Sequence, residues 1–167
     1  MPRYAIALGS NRRHGRHGSP AQVLAAAIRA LRAAGVEIVA VSPIFATAPI
    51  GPSLRAYANA AATIETPLDP PALLALLKGI ERAFGRRRGR RWGARVLDLD
   101  ILLWQDGRWA SRHPALTVPH IGLTGRRFVL DPLVKIAPDW PIPGAGTVAQ
   151  ARARLTRPLP IHRSGRR

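Results

Sequence analysis

The 167-residue chain contains no cysteine. Disulfides, thiolate metal sites and thiol nucleophiles are therefore excluded, and nothing follows about redox compartment. Lysine is almost missing. Lys78 and Lys135 are the only two, so the 26 basic residues are nearly all arginine. Acidic residues number nine, which leaves a net charge of +17. No apolar run approaches the roughly 20 residues of a membrane span. The N-terminus has Arg3 but no long apolar segment behind it, so it does not read as a secretory signal. Cytoplasm is the expected compartment, with no membrane partner. At 47% hydrophobic and 21% charged the chain is globular, and its length suits one domain around one core. A field of this sign attracts polyanions: nucleic acid, acidic membrane or nucleotides. On charge alone nucleic acid stands first.

What is present is concentrated between Arg86 and Trp104. The first half, Arg86-Arg87-Arg88-Gly89-Arg90-Arg91-Trp92-Gly93-Ala94-Arg95, is a glycine-punctuated arginine loop. The second half, Val96 to Trp104, is an apolar strand interrupted by Asp98 and Asp100. Residues two apart on a strand share a face, so the two carboxylates point one way and Leu97, Leu99 and Ile101 the other. Paired hard oxygen donors suit Mg²⁺, which keeps several waters and bridges to phosphates. Arginine forks grip phosphate oxygens. The combination points to a polyphosphate site. Taken alone, each half also fits a solvated surface or structural ion pairs.

Along the chain, Tyr4 to Leu8 predicts a buried strand ended by Gly9-Ser10-Asn11. Arg12 to Gly18 predicts a basic loop with exposed His14 and His17. Ser19-Pro20-Ala21-Gln22 is a capping box opening a helix that Gly35 stops. Val36 to Ser42 predicts a second strand, and Pro43 to Leu54 a loop without regular structure. Tyr57 to Thr66 predicts a third strand, with Tyr57, Asn59, Ala61 and Thr63 on one face. A solvated face or a ligand face both fit that set. Asp69-Pro70 opens a helix ending at Gly85, with Glu81 near its end beside candidate arginine partners. Gln105-Asp106-Gly107-Arg108 is a hairpin turn. Arg126 to Leu130 starts a short helix reaching Ile136 or Ala137, and Thr147-Val148-Ala149-Gln150 opens a terminal one. The tail from Arg157 is expected to fray. The order through Leu103 is βαββαβ, so the expected fold is α+β, a ferredoxin-like antiparallel sheet with helices packed on it and a C-terminal extension.

Several blocks together resemble one family: Leu8-Gly9-Ser10-Asn11, Thr47-Ala48-Pro49-Ile50-Gly51-Pro52, Tyr57-Ala58-Asn59, Arg91-Trp92-Gly93-Ala94-Arg95-Val96-Leu97-Asp98-Leu99-Asp100-Ile101, Leu116-Thr117-Val118-Pro119-His120 and Arg126-Arg127-Phe128-Val129-Leu130. The chain resembles the 6-hydroxymethyl-7,8-dihydropterin pyrophosphokinases of folate synthesis. The resemblance implies transfer of the terminal diphosphate of ATP to a pterin hydroxymethyl oxygen, with AMP released and two Mg²⁺ required. It implies metal binding by Asp98 and Asp100, which join Arg86 and Arg95 as catalytic residues. Glu81, Arg88, Arg91, Trp92, His120 and Arg126 match ATP contacts. Thr47, Ala48, Pro49, Ile50, Tyr57, Asn59, Trp92 and Phe128 match pterin contacts. The implied partners are ATP and the pterin, with no nucleic acid, and the expected state is a monomer.

Physical chemistry agrees with those roles. A flat heterocycle gains from aromatic stacking, and its donor–acceptor edge is read by an amide such as Asn59. Phosphoryl transfer needs positioning and charge neutralisation. The chain departs from the family at Arg12 to Gly18, at Ala94 and Val96, where Pro and Thr are usual, and at Ala115. An arginine is common at that last place, and Arg112 is a candidate substitute. Two competing readings stay open at this level. One is an RNA-binding module of the same fold, which lacks its aromatic platform here. The other is an inactive relative.

Overall fold

The computed structural model describes residues 1–47, 56–85 and 96–156. The arginine loop at 86–95, the segment 48–55 and the tail from 157 lie outside the described residues. The elements in order are β1 (Arg3–Ser10), α1 (Pro20–Ala33), β2 (Glu37–Val41), β3 (Phe45–Thr47), β4 (Tyr57–Glu65), α2 (Pro70–Ala83) and β5 (Asp98–Trp104). They continue with β6 (Trp109–Arg112), β7 (Ala115–Val118), α3 (Arg127–Val134), β8 (Pro141–Ile142), β9 (Gly146–Thr147) and α4 (Val148–Arg154). The protein is α+β. Its main sheet runs β2-β4-β1-β5, antiparallel throughout, with β3 extending it along β4.

The two capping boxes form as the sequence indicates. Ser19 caps α1 and Gln22 reaches back to the Ser19 backbone, and Thr147 and Gln150 do the same for α4. Each returning glutamine passes over a glycine with positive φ. A Cβ at Gly18 or at Gly146 would lie 2.1 Å from the amide oxygen, so only glycine leaves the box room to close.

Alternation sorts the sheet into two faces. Ile6, Leu8, Ala58, Ala60, Ala62, Ile64, Leu99 and Ile101 pack against Val23, Leu24 and Leu31 of α1 and Leu73, Leu77 and Ile80 of α2. On the opposite face Ala5, Ala61, Leu102 and Leu103 pack against Leu130 and Leu133 of α3 and Val148 and Ala151 of α4. Asp131 of α3 pairs with Arg127 and Arg152, which ties α4 to α3. The second pair of helices covers only one end of its face. The other end carries Tyr57, Asn59, Gly9, Asp98 and Asp100, and among the described residues it stays open as a pair of clefts.

Four expectations need correction. Within Pro43 to Leu54, residues Phe45–Thr47 form a short strand on β4, because the exposed edge of Tyr57, Ala58 and Asn59 offers backbone partners that three residues take up. The α3 helix stops at Val134, short of Ile136. Pro132 lies inside it and has no N–H to bond back toward Phe128. The Asp106-Gly107 turn reverses the chain, but β6 pairs with β7 and not with β5. His14 and His17 are half-buried. Their rings stack at 4.7 Å, and His17 stacks on Phe84 at 4.7 Å. The loop closes through paired His14–Gly18 backbone hydrogen bonds of 2.9 and 2.8 Å. The His14 Nδ1 accepts the N–H groups of Arg16 and His17. Burial, then the neighbouring His14, Arg16 and Arg29, push the His17 imidazole below its ordinary pKa.

Candidate active site

Register builds the site before any side chain is considered. Gly9 of β1 lies opposite Asn59 on one neighbour and opposite Asp98 on the other. One step along, Ala7 lies between Ala61 and Asp100. Strands sit roughly 4.8 Å apart, so Asn59 and Asp98 stand about 10 Å from each other across a strand that has almost no side chains there. Asp98 and Asp100, two residues apart on one face, have Cα atoms about 7 Å apart. The result is a flat floor with an amide at one side and two carboxylates at the other.

A cleft of about 150 Å³ lies on this floor, lined by Gly9, Asn59, Asp98 and Asp100 from the sheet, by His120 and Arg126 from the chain between β7 and α3, and by Phe128 of α3. A second cleft of about 140 Å³ shares Gly9, Asn59 and Asp98, and it extends to Ser10, Asn11 and Tyr57. Tyr57 and Phe128 are both exposed, at 42% and 54%. Exposed aromatic rings beside a polar floor have unspent stacking surface.

The residues on the α3 side are held in place by local bonds. The His120 N–H donates to the Leu102 carbonyl at 2.9 Å, which fastens it to β5. The His120 Nδ1 accepts the Gly122 N–H at 3.0 Å, so a neutral ring carries its proton on Nε2. That nitrogen is then a donor, suited to an anion. Gly122 also makes room for Arg126: a Cβ there would lie 2.7 Å from the Arg126 Nε. The Arg126 guanidinium lies 5.9 Å from the Phe128 ring centre, within cation–π range.

Glu81, expected among the nucleotide contacts, is fully buried behind β5. Its Oε1 accepts the Leu99 N–H at 2.7 Å and the Lys78 ammonium at 2.8 Å. Among the described residues the ion-pair partner of Glu81 is Lys78, one turn earlier on α2, and the arginine loop expected to pair with it lies outside the described residues. Lys78 also donates to the Leu99 carbonyl at 3.1 Å and lies 3.9 Å from the Asp100 Oδ1. Arg112 stands directly across the β6–β7 hairpin from Ala115.

The structure therefore brings Asn59, Asp98, Asp100, His120, Arg126 and Phe128 to one cleft and Tyr57 to the adjoining one. Thr47 pairs with Tyr57 at the end of β3. Ala48, Pro49, Ile50, Arg86, Arg88, Arg91, Trp92 and Arg95 lie outside the described residues. Sequence reading missed Gly9 as a floor residue and Lys78 as a contact of β5. The Leu8-Gly9-Ser10-Asn11 block held the signal for the first. Lys78, one of only two lysines and three residues before Glu81, held the signal for the second.

Two hard carboxylates, a ring N–H donor, a guanidinium and exposed aromatics around a flat floor have the chemistry to meet phosphate oxygens on one side and a planar ring on the other. Comparison with known proteins gives the family. The sequence profile of the 7,8-dihydro-6-hydroxymethylpterin-pyrophosphokinases matches residues 5–138. A 2-amino-4-hydroxy-6-hydroxymethyldihydropteridine pyrophosphokinase from Methylorubrum extorquens is 41% identical over 157 residues, which cover 93% of this chain and 94% of that protein. One from Haemophilus influenzae is 40% identical over 147 residues, covering 87% and 88%. A mitochondrial folate synthesis bifunctional protein of Pisum sativum is 37% identical over 132 residues, 78% of this chain but 24% of its own length. The chain belongs to the 7,8-dihydro-6-hydroxymethylpterin-pyrophosphokinase family, and with it to the enzymes of folate biosynthesis.

Proposed function

We propose that the open half-face of the sheet transfers the β,γ-diphosphate of ATP to the hydroxymethyl oxygen of 6-hydroxymethyl-7,8-dihydropterin. The oxygen forms a bond to the β-phosphorus, the bond from that phosphorus to the α,β-bridging oxygen breaks, AMP leaves with the bridging oxygen, and the hydroxyl proton is released. The observation that carries this reading is the row Asn59–Gly9–Asp98, which sets an amide and a carboxylate on opposite sides of a bare floor.

Asn59 reads the pterin edge and Tyr57 and Phe128 stack on its ring, with Trp92 and the backbone from Thr47 to Ile50 completing the pocket. His120 and Arg126 donate to phosphate oxygens. Arg86, Arg88, Arg91 and Arg95 supply further guanidiniums, and Arg112 supplies the one that Ala115 lacks. Glu81 acts on the nucleotide pocket from behind, through its bond to the β5 backbone at Leu99. Asp98 and Asp100 share a strand face, are half-buried at the cleft and present hard oxygens, so this pair fits Mg²⁺. Two bound Mg²⁺ would neutralise charge on the transferred group. The same reading takes the chain as a single ferredoxin-like domain acting as a cytoplasmic monomer without nucleic-acid or membrane partners.

Replacing Asp98 or Asp100 by alanine tests the assignment. AMP formation from ATP, Mg²⁺ and the reduced pterin should be lost, with circular dichroism and pterin binding kept. Full turnover in either variant contradicts it.

A further inference from the structure

β5 is the last strand of the main sheet, and among the described residues no strand flanks its outer side. An edge strand leaves N–H and C=O groups to be satisfied by other means. On this edge the Leu99 N–H donates to the Glu81 Oε1 at 2.7 Å, and the Leu99 carbonyl accepts from the Lys78 ammonium at 3.1 Å. Glu81 and Lys78 are themselves joined at 2.8 Å. The three contacts form a closed ring: one α2 side chain accepts where a neighbouring strand would accept, and the other donates where it would donate. Leu99 is the residue between Asp98 and Asp100.

A fully buried carboxylate is a costly way to fasten a helix to a sheet. Apolar packing of equal volume would serve stability as well or better. Leu73, Leu77 and Ile80 of α2 already supply such packing. What the ionic ring adds is direction, because hydrogen bonds to both backbone groups of one residue fix its peptide planes. Those planes set where the side chains on either side point. Lys78 stays 3.9 Å from the Asp100 Oδ1, beyond hydrogen-bond reach, so the ring braces the carboxylate without occupying that oxygen.

We propose that Glu81 and Lys78 are positioning residues that stand in for a missing strand at Leu99 and so aim Asp98 and Asp100 at the cleft. The proposal rests on reading those aspartates as the metal carboxylates. It assigns no contact with substrate to either α2 residue.

The test uses hydrogen exchange at the Leu99 amide and Mn²⁺ titration by paramagnetic resonance in the presence of α,β-methylene-ATP. In Glu81→Ala, Leu99 exchange should quicken by roughly tenfold to a hundredfold, and Mn²⁺ affinity should fall about tenfold. Glu81→Gln keeps an acceptor oxygen and should restore most of both. Unchanged Mn²⁺ affinity in Glu81→Ala overturns the proposal. Should that variant not fold, the half-exposed Lys78→Met gives a test by sign. Loss of a brace weakens Mn²⁺ binding, whereas loss of a mere nearby positive charge strengthens it, and strengthening overturns the proposal. Mn²⁺ affinity that Asp98→Ala leaves unchanged would instead overturn the metal reading, and the proposal with it, even where Leu99 exchange still follows Glu81.

Discussion

Gly9 is where function and stability are expected to oppose each other. It sits inside β1, paired on both sides, and is not among the glycines with positive φ. The backbone there accepts any residue. A glycine inside a strand costs roughly 0.5–1 kcal/mol relative to a residue with a side chain, and β-branched residues gain on the scale of about 1 kcal/mol in strands. Gly9→Val should therefore leave the melting temperature unchanged or raise it. The same change should damage the site. A Cβ at Gly9 lies 3.4 Å from the Asn59 Oδ1, and the two further methyls of valine project into a floor bounded by clefts of about 140 and 150 Å³. On the proposed reading, a pterin lifted off that floor loses its hydrogen bond to Asn59. Leaving one such group unmatched costs roughly 1–3 kcal/mol, which is about a fivefold to hundredfold loss of affinity. Pterin binding by fluorescence, beside a thermal melt, measures both halves. Gly9→Ala should fall between wild type and Gly9→Val. A Gly9→Val protein that melts as wild type and binds the pterin as wild type would refute the reasoning.

Three further outcomes follow from contacts away from the floor. Tyr4 is fully buried with its hydroxyl donating to the Leu68 carbonyl at 2.7 Å, and burial, with Asp69 and Asp106, pushes its pKa up to about 12. The folded state thus holds the phenol proton more tightly than the unfolded chain, so stability present below pH 10 should fall from 10 toward 12. Tyr4→Phe should remove that slope in urea titrations and cost about 1 kcal/mol at neutral pH. His17 has a lowered pKa, so the unfolded chain takes up a proton more readily. Stability should drop as pH falls below about 6.5, and His17→Phe, keeping the stack on Phe84, should flatten that drop in acid melts. Asp131→Ala leaves Arg127 and Arg152 without this partner and should loosen α4 from α3. A loss of about 1 kcal/mol by denaturant titration is expected, with turnover little changed.

Strand parity was the most legible feature. Alternation on β4 and β5 separates helix-facing residues from cleft-facing ones because α1 and α2 bury one whole face, and a one-residue slip would bury Asp98 and Asp100. Helix starts were legible for a similar reason: both capping boxes are local chemistry between residues three apart. The short β3 was not legible, since Phe45-Ala46-Thr47 has no period of its own and pairs only because β4 presents an edge. The stack of His17 on Phe84 joins residues from the β1–α1 loop and the end of α2, which only the folded chain brings together. Glu81 was singled out as an unfavourably placed acid, but its partner at Leu99 is a backbone N–H, and a backbone group leaves no mark in sequence. The floor at Gly9 was read as a strand stop because a glycine after an apolar run signals either, and only the register with Asn59 and Asp98 separates them.

Labelling the β-phosphorus of ATP and following it through one turnover with the reduced pterin and Mg²⁺ tests the central claim most directly. The account predicts that the label leaves ATP with the γ-phosphate still attached, appears on the pterin, and leaves unlabelled AMP in equal amount. Label retained in ADP, or released as inorganic phosphate without pterin product, would contradict it.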